Sequence, residues 1–368
     1  MYRIQTFYKM KHIVFFHLFN DYSGSPKVLK MVLDGVIRRG YKTDLVTSKG
    51  GVLDNLSALF RVGKYSYPYH FSENPVVTAL SYCTIQIYTF FLSFRWMFKR
   101  NVVFYINTLL PIGPALAGRI MGKKVIYHYH ENAAVKGKFY KILAFFMQHL
   151  AHEIVCVSAY QAHFLNRKSH VSVVPNAVNN QFICRLHPSP ETAFLRKRVL
   201  MLGSLKLYKG PIEFIQLAQQ LPQFCFELVI NDTQDHIDEF ICEHNVMVPQ
   251  NLTLFARQHD VAPFYNRASL VLNLSNKDLF IETFGLTALE AMSAGLPVIV
   301  PTEGGIAELV KDGVNGYKMD VHHLNEISKR IVEILTNKNL YLKLSQNALK
   351  DSRRFDESTM IEQIVSYF

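Results

Sequence analysis

The chain has 368 residues, enough for two domains, and its 49% hydrophobic and 19% charged content excludes an intrinsically disordered protein. The net charge is +11, but residues 1–180 carry 22 Lys+Arg against 7 Asp+Glu, and residues 181–368 carry 18 against 22. This asymmetry indicates an anionic partner for the first half. Because the basic residues do not form the aromatic-interleaved stripe of a single-strand nucleic-acid binder, an anionic membrane surface is favoured over nucleic acid.

The cysteines are few and scattered, without a C-x-x-C pair: Cys83, Cys156, Cys184, Cys225 and Cys242. This pattern argues against a disulfide framework and a cysteine zinc site, and it favours a reducing compartment. Residues 1–20 lack a long apolar core followed by a small-residue cleavage site, so we expect no secretory signal. We therefore expect a cytoplasmic protein.

The first elements predict a Rossmann-like unit. Residues 11–18 are a short β-rich run, a turn follows at 21–26, a helix at 27–39 ends at Gly40, and residues 43–47 form the next strand. Strand, glycine-containing loop, helix and strand make the repeating unit of a parallel sheet. The loop has no G-x-G-x-x-G, so the dinucleotide fingerprint is absent.

Residues 75–94 contain no charged residue, which raises the question of a membrane span. Six polar residues interrupt the stretch: Thr78, Ser81, Thr84, Gln86, Thr89 and Ser93. They favour a core or interfacial helix over a span. Residues 94–100, FRWMFKR, mix aromatic rings with cations, which fits a helix in a lipid interface and equally a solvated helix end above the core.

Two histidines follow one predicted strand. Residues 102–107 and 124–132 read as strands, and His128 and His130 share one face by the period of two. Polar groups at the carboxyl ends of parallel strands often form sites. Metal binding, acid–base chemistry and a purely structural role all remain open, although a third metal ligand is not evident.

Strands predicted at 153–158 and 171–178 are the last of the first half. The second half repeats the pattern, with strands predicted at 198–205, 226–231, 252–255 and 270–275. Residues 186–197 hold two prolines and no strong period, so we interpret them as an interdomain linker. Lys209 starts the next helix, where it can reach a phosphate as a mobile charge or lie solvated at the helix start.

Residues 275–316 predict a loop, a helix, a buried strand, a glycine turn, a second helix and a glycine-capped end. Glu282 lies in the loop, and Phe284 and Gly285 lead to a helix start whose free amides suit a pyrophosphate. Gly285 has no Cβ, so a ligand can approach the backbone. Glu290 follows after eight residues, which at helical spacing places the carboxylates roughly 80° apart. Two carboxylates flanking a phosphate-ready helix start predict a nucleotide-sugar site.

This stretch resembles the donor-site signature of glycosyltransferase family 4, the group 1 glycosyltransferases. The resemblance rests on Glu282-x7-Glu290, on EAMSAGLPVI at 290–299, and on Gly304, Gly305, Glu308, Asp312 and Gly313. A bare E-x7-E in an ordinary amphipathic helix is common, and the continuous context makes the motif specific. The resemblance implies an α/β protein of the GT-B fold, with two Rossmann-like domains whose parallel sheets face a central cleft.

The resemblance also implies roles for individual residues. Glu290 would hold the ribose hydroxyls, Glu282 the transferred sugar, and the amides of Gly285 and Leu286 the pyrophosphate. His130, followed by Glu131, matches the family's active-site histidine near the transferring sugar. We therefore expect His130 and Glu282 to be catalytic.

Two positions depart from the family's pattern. Only Gly24 remains of the paired glycines after the first strand, and Gly203 is followed by Ser204 where the family has an arginine on a phosphate. Either Lys209, with Lys206, supplies the charge, or donor binding is weaker. The expected donor-binding set is Gly24, Gly203, Lys209, Phe284, Gly285, Leu286 and Glu290.

The expected organisation is an acceptor-side domain at 1–185, the linker at 186–197, a nucleotide-sugar domain at 198–354 and a helix at 355–368 that crosses back to the first domain. The predicted function is retaining transfer of a hexose-type sugar from a UDP- or GDP-sugar to a glycan or lipid-linked acceptor, in cell-surface polysaccharide assembly. A non-catalytic partner subunit of another transferase and a sugar-nucleotide epimerase on the same fold are the alternatives. Ser204 favours the first alternative mildly, and the x7 signature disfavours the second.

The chain contains no D-x-D, the usual metal clamp for a nucleotide sugar, so we expect activity without a metal or other cofactor. It also lacks G-x-x-x-x-G-K-[ST], which argues against a P-loop nucleotidase. From the charge of the first half we expect peripheral association with the anionic inner face of the membrane, and no nucleic-acid partner.

Overall fold

The computed structural model describes residues 11–54, 56, 62–69, 72, 74–133, 135–166 and 170–368. Residues 1–10, on which the expectation about a secretory signal partly rests, lie outside this range. The chain divides into two compact units, the first ending at Pro175 and completed by Ser358–Phe368, the second formed by Asn176–Glu357.

The first unit is a seven-stranded parallel sheet in the order β3-β2-β1-β4-β5-β6-β7. The strands are β1 (His12–His17), β2 (Lys42–Ser48), β3 (Val62–Tyr67), β4 (Val102–Asn107), β5 (Lys124–Tyr129), β6 (Glu153–Cys156) and β7 (Val171–Val173). The helices between them are α1 (Gly24–Arg38), α2 (Pro75–Ser93), α3 (Ile112–Ile120), α4 (Lys138–Leu150) and α5 (Ala159–His163). Every residue of β1 and β4 is buried, as expected for a sheet covered on both faces.

The residues after α2 contribute to the core and to the surface. Trp96 is fully buried and donates from its indole nitrogen to Asp44, 2.7 Å away, while Phe98 is 93% exposed. Asp44 also pairs with His12 at 2.9 Å. Burial raises the pKa of Asp44, but the hydrogen bonds from His12 and Trp96 outweigh it and hold the pKa below its usual value.

The second unit repeats this strand order with six parallel strands, β10-β9-β8-β11-β12-β13. Its first elements are the short helices α6 (Asn180–Ile183) and α7 (Pro190–Arg196). The strands are β8 (Arg198–Gly203), β9 (Cys225–Ile230), β10 (Leu252–Phe255), β11 (Leu270–Leu272), β12 (Val298–Val300) and β13 (Gly316–Lys318). The helices are α8 (Pro211–Gln220), α9 (Gln234–Glu243), α10 (Ala262–Arg267), α11 (Leu286–Ser293), α12 (Leu324–Thr336) and α13 (Lys338–Ser352).

The last helix, α14 (Glu357–Ser366), belongs almost entirely to the first unit. It packs against α1 so closely that a Cβ on Gly35 would lie 2.4 Å from Ile361 Cδ1. The ring of Phe368 lies 5.9 Å from that of Tyr41 and 6.0 Å from that of Tyr105. These contacts attach the end of the chain to the first sheet.

The prediction of two α/β domains with parallel sheets is confirmed. The structure differs from the expected boundaries at residues 186–197, interpreted above as a linker. There α7 buries Ala193 and Phe194, and Arg185 and Asn266 are joined by a hydrogen bond of 2.8 Å. This stretch is therefore packed into the second unit. A helix of about two turns can be anchored by two apolar residues, and such a pair shows no period in the sequence.

Candidate functional site

The second unit places Glu282 and Lys209 in direct contact. Lys209 follows β8 and Glu282 follows β11, and these strands are neighbours in the sheet. The Lys209 ammonium pairs with Glu282 Oε1, and Ser275 Oγ donates to the same oxygen from 3.2 Å. Burial works to raise the pKa of Glu282, but the Lys209 charge and hydrogen bonds, with those from Ser275 and Asn273, hold it below its ordinary value. The carboxylate is therefore ionised at neutral pH.

Lys209 is also held by two aromatic rings. Its Nζ lies 3.9 Å from the centre of the Phe280 ring, and the Tyr208 ring stacks on Phe280 at 4.8 Å with 17° between planes. Cation–π contact and the ion pair orient the ammonium together. The next residue, Gly210, has φ +79°, and a Cβ there would lie 2.5 Å from Leu274 O, so the backbone beside Lys209 requires glycine.

A glycine turn after β12 holds the backbone of Glu282. Gly305 N donates to Glu282 O over 2.8 Å, and Gly304 has φ +102°. A Cβ on Gly304 would lie 2.5 Å from Glu282 O. The loops after β8, β11 and β12 therefore meet around this carboxylate, and the glycines of the sequence signature position it.

Helix α11 begins at Leu286, with Gly285 as its N-cap at φ +89°. A Cβ on Gly285 would lie 2.3 Å from Ile306 Cγ1, so this position excludes side chains both by conformation and by space. Phe284 is buried, its ring 5.9 Å from that of Phe355. Because Glu282 precedes the helix, the expected 80° between the two carboxylates is wrong: that angle assumes helical backbone at both residues.

Glu290 lies in the second turn of α11 and is hydrogen-bonded to a tyrosine that the sequence did not point to. The Tyr265 hydroxyl of α10 donates to Glu290 Oε2 over 2.7 Å. Tyr265 is almost fully buried, and burial, with the charge of Glu290, raises its pKa far above the usual value. The phenol therefore remains a hydrogen-bond donor and fixes the carboxylate.

Gly203 ends β8, and its carbonyl accepts from Asn231 N at 2.9 Å. Ser204 follows where the family has arginine, and Lys206 is exposed. Among the cations considered from the sequence, the structure places Lys209 beside Glu282.

The first unit forms a polar cluster at the equivalent edge of its sheet. His17 ends β1, Asn107 ends β4 and His130 follows β5, and these three strands are adjacent. Asn107 Nδ2 donates to His17 Nδ1 over 3.1 Å, and Asn107 Oδ1 accepts from His130 Nε2 over 3.1 Å. Asn107 Nδ2 also reaches Ser25 O at 3.4 Å, beside Gly24, the exposed first residue of α1. Gly24, His17, Asn107 and His130 are thus brought to one place.

The histidines of this edge are neutral. Burial lowers the pKa of His17 to about 4 and that of His128 to about 3. The pKa of His130 falls well below its ordinary value through burial and the neighbouring His128 and His17. His128 is fully buried, hydrogen-bonded to the Tyr105 hydroxyl at 2.7 Å, and its ring centre lies 4.1 Å from that of His130.

Glu131, next to His130, forms hydrogen bonds that hold the neighbouring loop and helix. Its Oε2 accepts from Leu109 N at 3.0 Å, and its carbonyl accepts from Gln161 Nε2 at 2.6 Å. Burial raises the pKa of the carboxyl. Within the described ranges, no group of three or more His, Cys, Asp or Glu side chains is arranged to hold a metal ion.

Sequence reasoning therefore missed Tyr265, Asn107 and His17. Asn107 and His17 did carry a signal, because each is a polar residue that ends an apolar strand run, as His130 follows one. Tyr265 carried none, since its partner is distant in the chain.

Two family models match the chain. One, described as glycosyl transferases group 1, matches residues 190–351, and one, described as glycosyltransferase family 4, matches residues 22–182. A glycosyltransferase of Methanocaldococcus jannaschii, MJ1178, described as uncharacterized, is 28% identical over 208 residues, 55% of each chain. The chain spans about half the length or less of such curated relatives.

Solved structures agree with the fold. HepE of Anabaena, solved with UDP and glucose, superposes with a TM-score of 0.78 at 19% identity, covering 97% of this chain and 98% of HepE. The sucrose-phosphate synthase of Thermosynechococcus elongatus gives a TM-score of 0.77 at 15% identity over 97% and 98%. At this identity the likeness establishes the architecture.

Proposed function

Because the chain belongs to the group 1 glycosyltransferases of GT-B architecture, we propose that it is a retaining hexosyltransferase that takes a sugar from a nucleotide-sugar donor. The observation that carries the proposal is the Glu282–Lys209 pair beside the start of α11, with Glu290 about one turn further on. The two carboxylates can accept hydrogen bonds from the hydroxyls at the two ends of a nucleotide sugar. Lys209 and the amides at the start of α11 can bind the phosphates between those ends.

In this proposal the donor binds the second unit. The free amides at the start of α11, after Gly285, receive the pyrophosphate, since the helix dipole favours an anion there. Glu290, fixed by Tyr265, takes the ribose hydroxyls, and Glu282 takes hydroxyls of the transferred sugar. Lys209, now paired with Glu282, is the cation for which a donor phosphate competes.

The proposed chemistry is stabilisation of the leaving nucleoside diphosphate. The amides and Lys209 stabilise the negative charge that develops on the diphosphate as its bond to the sugar breaks. The acceptor hydroxyl attacks on the same face of the sugar and passes its proton to the leaving diphosphate. His130, a neutral imidazole held by Asn107, is proposed to contact the transferring sugar. Because the chain has no D-x-D, we propose that none of these steps needs a metal ion.

We propose a glycan or lipid-linked acceptor and a role in cell-surface polysaccharide assembly at the inner face of the membrane. The support is the charge of residues 1–180, 22 basic against 7 acidic, which attracts an anionic surface. The HepE structures with UDP and with UDP-glucose are the reason to begin with uridine donors.

A donor screen tests the proposal. The purified chain is incubated with UDP-, GDP- and ADP-sugars, and thermal stabilisation and release of the nucleoside diphosphate are measured. One nucleotide sugar should raise the melting temperature, as a ligand at about 100 times its Kd adds about 2.7 kcal/mol. The same sugar should be hydrolysed slowly. Stabilisation without any turnover, also with acceptor extracts, would favour the non-catalytic partner subunit, while isomerised donor would indicate the epimerase.

A further inference from the structure

Helix α2 presents its apolar side to solvent. Exposed residues recur at helical spacing as Val76, Leu80, Cys83, Ile87 and Phe91, with Val76 65% and Phe91 67% exposed. A surface helix of a globular protein normally points such residues inward. Among the described helices, this is the one long and apolar enough to cross a membrane, and only 17% of its most apolar window is buried.

The opposite side of α2 buries one apolar and two small polar residues. Ile85, Thr89 and Ser93, one turn apart, are its buried residues. The Thr89 and Ser93 hydroxyls donate to the helix's own carbonyls, Thr89 to Ile85 O over 2.7 Å and Ser93 to Thr89 O over 2.6 Å. These bonds satisfy both buried hydroxyls inside the domain, whereas Gln86 Nε2 of the same helix is buried without a hydrogen-bond partner among the described residues.

Helix α2 is fixed along the domain. Gly113 N of α3 donates to Gln86 Oε1 over 2.9 Å, and a Cβ on Gly113 would lie 2.1 Å from Gln86 O. The Tyr82 hydroxyl donates to Leu110 O over 2.8 Å. A transmembrane crossing would break these contacts, so α2 can meet a membrane only by lying along it.

The neighbouring helices extend the apolar surface. On α4, Phe139, Ile142 and Phe145 are about half exposed, and the Phe139 ring lies 5.5 Å from that of Tyr82 on α2. On α3, Ile120 is 61% exposed. All three helices contribute buried residues to one core on the same side of the first sheet. The exposed apolar residues of α2, α3 and α4 therefore form one surface, called here the α2–α4 face.

Cations surround this face. Residues 74–152 contain nine Lys and Arg and a single acidic residue, the partly buried Glu131. Arg95, Lys99 and Arg100 follow the end of α2, and Lys138 and Lys141 lie on α4, all exposed. A second copy of the chain would bring cations against cations, whereas anionic headgroups complement them.

We propose that the α2–α4 face inserts into the headgroup–acyl boundary of an anionic bilayer, with α2 parallel to the membrane plane. This deepens the membrane location in the proposed function and rests on it. It also changes the expected behaviour: attraction by charge alone is screened within about 8 Å at physiological salt, but contact between apolar side chains and acyl chains is not screened. Part of the binding should therefore survive high salt.

Cys83 gives a direct probe, because it lies in the exposed stripe of α2. Two variants, each retaining one exposed cysteine, are labelled with the same environment-sensitive fluorophore: one at Cys83 and, as a matched control, one at Cys242 in the second unit. Vesicles of phosphatidylcholine with phosphatidylglycerol should shift the Cys83 emission to the blue and leave Cys242 unchanged. Lipids with a nitroxide on the acyl chain should quench Cys83. Quenching only by a headgroup nitroxide would overturn insertion.

Flotation at about 0.1 M and about 1 M NaCl, where the Debye length is about 10 Å and about 3 Å, separates the two contributions. Ile87→Ser with Phe91→Ser should lower the vesicle-bound fraction about tenfold at both salts. Leu195→Ser with Met247→Ser, at still more exposed positions of the second unit, should not lower the bound fraction. Replacing Arg95, Lys99 and Arg100 by Glu should weaken binding mainly at low salt.

Two further results would overturn the inference. One is complete release of the unaltered chain at high salt. The other is a dimer in lipid-free sedimentation that the Ile87 and Phe91 changes dissociate, which would assign the face to a second copy. Donor hydrolysis is measured in parallel without lipid: if it persists while vesicle binding fails, only the membrane inference falls, and if vesicles bind while no donor is hydrolysed, the proposed enzyme falls.

Discussion

The two units have the same strand order around their first, fourth and fifth strands. The side chains at the ends of these strands are neutral in the first unit and charged in the second. His17 and Asn107 are the last residues of β1 and β4, His130 follows β5, and neutral hydrogen bonds join the three. After β8, β11 and β12 lie Lys209, Glu282 and the Gly304–Gly305 turn, joined by an ion pair and a backbone contact. Topology thus decides where a site forms, and the residues that follow the strands decide its charge.

The surfaces of the units differ as well. Helix α12 of the second unit buries Ile327, Ile331, Ile334 and Leu335 and exposes polar residues such as Lys329 and Glu333, the usual arrangement. Helix α2 of the first unit has the reverse arrangement. One parallel α/β architecture therefore serves a domain that faces water and one that we propose faces lipid.

The largest expected effect on activity comes from removing the carboxylate of Glu282 or of Glu290. Glu282→Gln and Glu290→Gln should each lower kcat by roughly two to three orders of magnitude, because each removes a charged contact to the bound donor. Steady-state kinetics with the donor from the screen measures this, and thermal unfolding checks that the fold is intact. Glu326→Gln, an exposed position of α12, is the matched control. Wild-type turnover in both variants would disprove the donor-site assignment.

Changes in the cluster of His17, Asn107 and His130 should lower activity less. Asn107→Leu keeps the approximate volume but removes the hydrogen bond to His130, which should lower kcat about fivefold, since one such bond contributes about 1 kcal/mol. The KM for the donor should change little, because the donor is proposed to bind the second unit. A rise in donor KM with unchanged kcat would instead place donor binding at the first unit.

The buried histidines predict a pH dependence of stability. The pKa values of His17 and His128, about 4 and about 3, lie below the ordinary 6.5, so the unfolded chain binds more protons between these values. Stability is then fully present above pH 6.5 and falls as the pH drops, by up to about 1.4 kcal/mol per pH unit for each histidine. Denaturant unfolding between pH 7 and pH 4.5 tests this. His128→Gln should flatten the slope, whereas His187→Gln, at an exposed position, should not.

The smallest expected effect is that of chelation. Turnover should be unchanged in EDTA, since the proposed phosphate contacts are the amides at the start of α11 and Lys209. Activity that EDTA abolishes and Mg²⁺ or Mn²⁺ restores would show that the site around Glu282 and Lys209 needs a bound metal ion.

Much of the second site could be read from the chain, because its parts are close in sequence. Glu282, Gly285 and Glu290 lie within nine residues, and Gly304 and Gly305 lie one strand later. The helix start at Leu286 was not readable to the residue, and it altered the relation between the two glutamates. Tyr265, 25 residues before Glu290, became visible only when α10 packed beside α11.

The sequence by itself determined the two parallel-sheet domains, through apolar strand runs separated by helices and turns, and it determined which half carries the positive charge. Only the tertiary structure decided that His17, Asn107 and His130 meet, because their contacts span up to 90 residues of chain. It also decided which side of α2 faces out. Composition shows that a helix is apolar, but its outward side depends on which of its residues pack against the neighbouring helices. In α2 the side with Gln86 packs against α3, because Gly113 lets the two backbones come close.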